Sequence, residues 1–304
     1  MFIIKYKKIF VSLSVLLVAG SIAAISIFGL PLGIDFKGGA LTEVTYSGTR
    51  PPIDVMASEI KTLNFGEATL QPTGDTGYFI KTRALTEVER EQLLAAISAH
   101  SANVGNDVGG TTLKSYTSIG PSVGHELTRK MLLAIIFVSL AIILFIAYAF
   151  RNVTKPVSSW KYGFIAIVTL IHDIMIPIGV FAVLARGYGA EVDTLFVVAI
   201  LTVLGLSISD TIVVFDRIRE NIRVTKYPTF AETVGHSLNE VVTRSINTSA
   251  TVIMVLLALF FFGPSTTRVF ALMMTAGMFF GTYSSIFLAS PLLVYVEQWQ
   301  KGKK

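Results

Sequence analysis

Residues 195–215 read LFVVAILTVLGLSISDTIVVF, an apolar run broken near its end by one acid, Asp210. A bilayer core about 30 Å thick takes roughly 20 residues of α-helix, so this stretch is long enough to cross it. Five more runs share that length and character: 9–28, 131–150, 162–184, 246–263 and 269–296. The last is long enough to tilt or to extend past the membrane. Of the 304 residues, 52% are hydrophobic and only 15% charged, more apolar sequence than a water-soluble fold can hide. Six membrane helices therefore set the fold class: a polytopic α-helical membrane protein. The first run follows Lys5, Lys7 and Lys8 in the manner of a signal peptide. Its apolar length exceeds that of a typical signal core and no clean cleavage site follows, so it reads as an uncleaved anchor.

Basic residues mark the cytoplasmic side of a membrane protein. Lys5, Lys7 and Lys8 precede the first run, and Arg151, Lys155 and Lys161 separate the second and third. Arg217, Arg219, Arg223, Lys226 and Arg244 lie between the fourth and fifth, and Lys301, Lys303 and Lys304 end the chain. The short loops on the opposite side hold only Arg186 and Arg268. Both termini are expected in the cytoplasm, and the net charge of +5 belongs to membrane edges and not to a nucleic-acid surface. Without cysteine there is neither a disulfide framework nor a thiolate metal site. No cofactor, metal or catalytic group is expected.

The polar segment 33–129 then faces outward. Residues 40–47 alternate like a strand and 53–63 have helical spacing. Two further strands, 68–72 and 78–83, flank the turn signal Thr73-Gly74-Asp75. Thr86 and Glu89 form a capping box opening a helix to about His100, and 110–119 closes as a strand. The order β-α-β-β-α-β is that of the ferredoxin-like split fold. The chain divides as 1–32 (N-terminus and first span), 33–129 (outer α+β domain) and 130–304 (five spans, with a cytoplasmic linker at 216–245). Within that linker Thr229 and Glu232 form a second capping box, and Phe230, Val234, Leu238, Val241 and Val242 share one helical face. Such a helix is expected to lie along the inner leaflet, unless it is a plain solvated connector.

Three ionisable residues sit well inside the runs: His172, Asp173 and Asp210. A charge at mid-bilayer costs at least about 2.5 kcal/mol, so such residues face the protein interior and serve a pathway. Counting from the cytoplasmic edge at about 1.5 Å per residue puts Asp210 near 7 Å deep and Asp173 near 16 Å. Arg244, just before the fifth run, is placed to approach Asp210; the alternative is an uncharged, hydrogen-bonded structural aspartate. Pro177 removes the helical partner of the Asp173 carbonyl, which either kinks the helix for packing alone or leaves an acceptor for water. His172, about 100° away on the helix, need not share that face and is expected to be a hydrogen-bonded packing residue. Gly277 and Gly281, extended by Ser285 and Ala289, form a small-residue stripe, as do Gly205 and Ser209; both permit close helix approach.

Several motifs carry a family resemblance. Gly33-Ile34-Asp35-Phe36-Lys37-Gly38-Gly39 follows the first run, and Ser118-Ile119-Gly120-Pro121-Ser122-Val123-Gly124 precedes the second. The stretch from Gly205 through Asp210 to Asn221 fills the fourth run and its exit, and Arg244-Ser245-Ile246-Asn247-Thr248-Ser249 opens the fifth. With these the chain closely resembles the SecF family, the smaller membrane subunit of the SecDF protein-export factor, within the resistance-nodulation-division superfamily. The resemblance implies a separate SecD partner, work beside the SecYEG channel, and use of the proton-motive force to draw unfolded secretory clients across the inner membrane. It also implies that Asp210 and Arg244 lie on a proton pathway, with Asp173 a further acidic position. The sequence departs from the family pattern at Leu206, where tyrosine is common, at Ser209, where asparagine is common, and at Lys37, where threonine is frequent. The first two departures alter hydrogen bonding beside Asp210. Rival readings are a small-molecule or lipid exporter of the superfamily, an intramembrane aspartyl protease using Asp173 and Asp210, and a passive scaffold. The protease reading conflicts with the unequal depths of the two acids, since a dyad must share a proton.

Overall fold

The computed structural model describes residues 2–101, 110–151, 157–224 and 227–302. Lys155, Lys226, Lys303 and Lys304, four of the basic residues used for orientation, lie outside the described residues. The chain runs α1 (Phe2–Lys5), α2 (Lys7–Phe28), α3 (Ile34–Lys37), β1 (Gly39–Tyr46), α4 (Ile53–Thr62), β2 (Thr69–Thr73), β3 (Gly77–Thr82), α5 (Glu87–Ser101) and β4 (Thr111–Ile119). It continues as α6 (Pro121–Ala149), α7 (Ser159–Tyr188), α8 (Thr194–Val224), α9 (Phe230–Phe262), α10 (Ser265–Ser284), a π-helical segment Ser285–Ala289, and α11 (Ser290–Lys301). Among the described residues, six helical stretches are long and apolar enough to cross a membrane: α2, α6, α7, α8, α9 and the continuous stretch that begins in α10 and ends in α11. The chain is a multi-pass membrane protein.

Two compact units emerge, one of 1–30, 133–190 and 194–304, the other of 31–132 with 191–193. In the second, four antiparallel strands stand in the order β2-β3-β1-β4. That order fits the split β-α-β pattern expected for the outer segment. Alternation along β1 and β3 turns Val44, Tyr46, Tyr78 and Ile80 inward, where they meet Met56 and Ile60 of α4 and Leu93 and Ile97 of α5. The capping box forms at α5: Thr86 N–H donates to Glu89 Oε2 at 2.9 Å and Glu89 N–H to Thr86 Oγ1 at 3.4 Å. Arg83 also holds this carboxylate, at 2.5 Å. Its hydrogen bond, followed by that of the Thr86 backbone, depresses the Glu89 acid to about 2.

The paired glycines before β1 have a backbone reason. Gly38 and Gly39 both take positive φ, +80° and +144°, a region that L-residues rarely enter. A Cβ at Gly38 would stand 2.9 Å from Pro121 Cα, and one at Gly39 2.8 Å from the Thr82 carbonyl. The segment from Gly33 to Gly39 is therefore folded tightly against β3 and the start of α6. Residues 191–193 join the same unit: Val192 forms an isolated parallel bridge to Leu32, its carbonyl accepts from Gly33 N–H at 2.8 Å, and Glu191 pairs with Lys81 at 3.1 Å.

In the helical unit α7, α8 and the stretch from α10 onward are the inner helices, with about half of each apolar window buried. At the end near the chain terminus, Phe150, Tyr162 and Phe215 interlock at centroid distances of 5.2–5.9 Å. Here one expectation is corrected. The linker helix and the fifth span are one 33-residue helix, α9. Its apolar face, Phe230, Val234, Leu238 and Val241, is buried in the main core with Ile218 and Leu293. The face expected on the leaflet is covered by protein, because α8 runs on to Val224 and supplies the matching surface.

Candidate functional site

The acids of the spans meet hydroxyl groups from neighbouring helices. Asp173, on α7, is fully buried. Its Oδ2 accepts from Ser207 Oγ of α8 and from Ser284 Oγ of α10, the latter at 2.8 Å, while Oδ1 lies 2.8 Å from His172 Nδ1. Three groups from three positions thus converge on one carboxylate. The helices come this close because α10 has no side chains where α8 crosses it. A Cβ added at Gly277 would overlap Val203, and one at Gly281 would stand 3.0 Å from the Ser207 Cβ. Pro177 lies inside α7, which continues as helix from Ser159 to Tyr188.

Asp210 is half-buried on α8. Its Oδ2 accepts from Ser249 Oγ of α9 at 3.5 Å and from Thr282 Oγ1 of α10 at 3.3 Å, and those two hydroxyls lie 2.5 Å apart. At the next residue of α8, Thr211 Oγ1 lies 2.8 Å from Ser285 Oγ. Ser285 opens the π-helical segment, and Ser290 Oγ donates to its carbonyl at 3.3 Å. A π-segment inside an α-helix is rare and concentrates at functional sites. Three residues of α10 and its extension, Thr282, Ser284 and Ser285, therefore serve Asp210, Asp173 and Thr211 in turn.

The structure brings Asp173 and Asp210 into one neighbourhood and leaves Arg244 outside it. Ser207, the partner of Asp173, precedes Asp210 by three residues, about 4.5 Å of helix rise. The acids are nearer in depth than counting from the span edges gives, because Ser207 of α8 meets Asp173. Even so each carboxylate keeps its own hydroxyl partners. Arg244 is exposed on α9, and among the described residues no ion pair joins it to Asp210. Glu240, one turn earlier, pairs instead with Arg217 at 2.7 Å.

His172 is hydrogen-bonded and packed, as expected, and its offset along the helix does not part it from Asp173: its ring touches that carboxylate and stacks on Tyr283 with centroids 6.0 Å apart. Gly205 and Ser209 face outward, with nothing within 4 Å of a Cβ at Gly205. Leu206 is exposed beside them, so the two departures from the family pattern fall away from the Asp210 hydroxyls. The residues missed were Ser207, Ser249, Thr282 and Ser284. A signal existed for the last two: Thr282, Ser284 and Ser285 are crowded into four positions of an otherwise apolar span, and hydroxyls inside membranes bond across helices.

Residues 100–299 match the family described as protein export membrane protein SecD/SecF, C-terminal, and 23–49 match the SecD/SecF GG motif. The glycine pair of that second match is the one at positive φ. Protein translocase subunit SecF of Thermobaculum terrenum is 39% identical, covering 96% of this chain and 92% of that protein. SecF of Anaerolinea thermophila is 36% identical, covering 98% and 93%. Among solved structures, SecDF of Thermus thermophilus, a translocon-associated membrane protein, aligns with TM-score 0.81 at 28% identity. That alignment takes in 98% of this chain, which spans 38% of the SecDF chain.

Proposed function

Because the chain belongs to the SecF family of protein translocase subunits, we propose that it couples the proton-motive force to the late stage of secretory protein export. It does so as an accessory subunit in the inner membrane, paired with a separate SecD chain beside SecYEG, with unfolded secretory proteins as clients. The observation that carries this reading is the pair of carboxylates, Asp173 buried and Asp210 half-buried, with their interhelical hydroxyls. An acid inside a membrane protein, held by groups on helices that can shift, is a means of turning proton binding into movement.

The chemistry follows from donor and acceptor counts. Ionised Asp210 only accepts, while Ser249 of α9 and Thr282 of α10 have one hydrogen each for three contacts, so one hydroxyl donates to the other and the remaining hydrogen goes to the carboxylate. A protonated Asp210 carries an O–H of its own that needs an acceptor, so what it asks of its surroundings changes. Each protonation state then favours a different fit of α9 and α10 against α8. Arg244 is the cation proposed to meet Asp210 in the other state, since it lies on α9 five residues before Ser249. Asp173, with Ser207 and Ser284, is the second stage of the pathway.

The cytoplasmic placing of both termini is supported at the termini themselves. Lys7 Nζ donates to Gln298 Oε1 at 2.7 Å, and buried Lys161 lies 5.6 Å from the Trp299 ring. The two chain ends and the first turn of α7, with Lys7 and Lys161, therefore share one end of the helical unit. The test is export of a reporter protein by membrane vesicles with and without a proton gradient. Asp210→Asn keeps size and hydrogen bonding but cannot ionise; it is expected to insert, to co-purify with SecD and to lose the gradient-dependent increment. Full stimulation in a normally assembled Asp210→Asn protein would reduce the chain to a passive scaffold.

A further inference from the structure

We propose that His172 is the proton-delivering partner of Asp173, the two side chains working as one relay. The inference rests on the proton-pathway reading above and extends it to a residue with no assigned role. Three observations carry it. Nδ1 of His172 stands 2.8 Å from Asp173 Oδ1. The ring is 2% exposed, and its Nε2 is buried without a hydrogen-bond partner among the described residues. The ring is also held in place: it stacks on Tyr283, whose hydroxyl donates to the Phe10 carbonyl at 3.1 Å and accepts from Ser14 Oγ at 3.5 Å.

A buried polar nitrogen left unpaired is costly, and a histidine kept only for packing is replaceable by an aromatic ring that lacks this cost. The arrangement has a use if Nε2 receives a proton. With Asp173 ionised, the neutral imidazole must carry its hydrogen on Nδ1 to bond the carboxylate, which leaves Nε2 a bare acceptor. A proton arriving from water binds Nε2 while the Nδ1 proton crosses to Asp173 Oδ1. One proton enters the pair, the carboxylate becomes an acid, and the imidazole ends neutral as the other tautomer. Imidazolium need never persist in the membrane interior. The acid then asks less of Ser207 and Ser284, which ties proton arrival to the contact of α7 with α8 and α10. The titratable groups nearest the pair are Asp210 on α8 and Tyr283 on α10; α2 offers Phe10 and Ser14, which do not titrate in this range.

The test uses the intact chain with its SecD partner in vesicles, reading the gradient-dependent increment across pH. His172→Asn retains a side-chain N–H for Asp173 Oδ1 and removes the second nitrogen. It is expected to insert and assemble but to lose most of the increment, and His172→Gln is expected to do the same. His172→Phe, which keeps the stack on Tyr283, is expected to lose it as well. An unchanged increment and pH profile in His172→Asn would overturn the relay and leave His172 as a positioning donor. Failure of both the Asn and Gln variants to insert would mark it as a packing residue, which also overturns the proposal. Asp173→Asn separates the levels: if it retains full stimulation, the pathway reading itself fails, whatever His172 does.

Discussion

At the scale of single residues, two glycine stripes look alike in sequence and differ in the fold. Gly277 of α10 faces Val203, whereas Gly205 of α8 has nothing within 4 Å of its Cβ position. Gly277→Ala is therefore expected to force the helices apart at a cost of about 1–3 kcal/mol, typical of overpacking. Gly205→Ala is expected to be neutral or stabilising by up to about 1 kcal/mol, because alanine favours helix. Thermal melting of the two variants in detergent checks this, and equal melting points would remove Gly277 as the determinant of the α8–α10 approach. Spacing reveals that a smooth face exists but not what lies across it. A second residue-scale prediction concerns Glu89. Its acid is depressed from 4.5 to about 2 in the folded state, so its stabilisation is complete above the unfolded value and is lost as pH falls from about 4.5 toward 2. Glu89→Gln is expected to flatten that part of the stability profile, read by circular dichroism. A profile identical to the parent would show the Arg83–Glu89 pair to contribute nothing.

At the scale of elements, the outer strands and helices were legible because each carries a local cue. Alternation marks β1 and β3, the Thr73-Gly74-Asp75 turn separates β2 from β3, and Thr86 with Glu89 fixes the start of α5; the observed ends fall within one residue of expectation at most termini. The same local logic failed at α9. Hydropathy falls across Asn239, Glu240 and Arg244, so a span read from hydropathy begins only at 246. The backbone does not follow hydropathy there, because tertiary partners take up the polar groups: Asn221 Nδ2 donates to Ser237 Oγ at 3.0 Å and to Glu240 Oε2 at 2.7 Å. The candidate acids were legible for the opposite reason, since Asp173 and Asp210 stand out against an apolar background. Their hydroxyl partners did not, as pairing across four helices leaves no trace in spacing along any one of them. The burial of α9 gives an element-scale prediction. Leu238→Ala, at a 1% exposed position, is expected to cost about 2–5 kcal/mol of stability, measured as loss of folded protein in detergent, where no leaflet is present. A neutral result would return this face to the membrane surface.

At the scale of the whole molecule, the orientation of six spans is checked by reporter fusions. One at Gly74 is expected to be active only outside the cytoplasm and one at Ser158 only inside; the reverse at either site would overturn the orientation. The outer segment 35–118 is expected to melt cooperatively as an isolated fragment with mixed α and β signal, because its core of Tyr78, Ile80, Met56 and Leu93 lies wholly within it. A coil spectrum would show that it depends on the rest of the chain. One piece of the same unit is absent from that fragment: the stitch in which Val192 bridges Leu32 and Glu191 pairs with Lys81. The last strand of the unit ends at Ile119, 73 residues before Val192, and ribosomes add about 5–20 residues per second. For roughly four to fifteen seconds after Ile119 is made, the unit has all its strands but that edge is unsealed. The nascent chain thus passes through a timed interval in which a protease or a chaperone can reach an edge that the finished protein keeps closed.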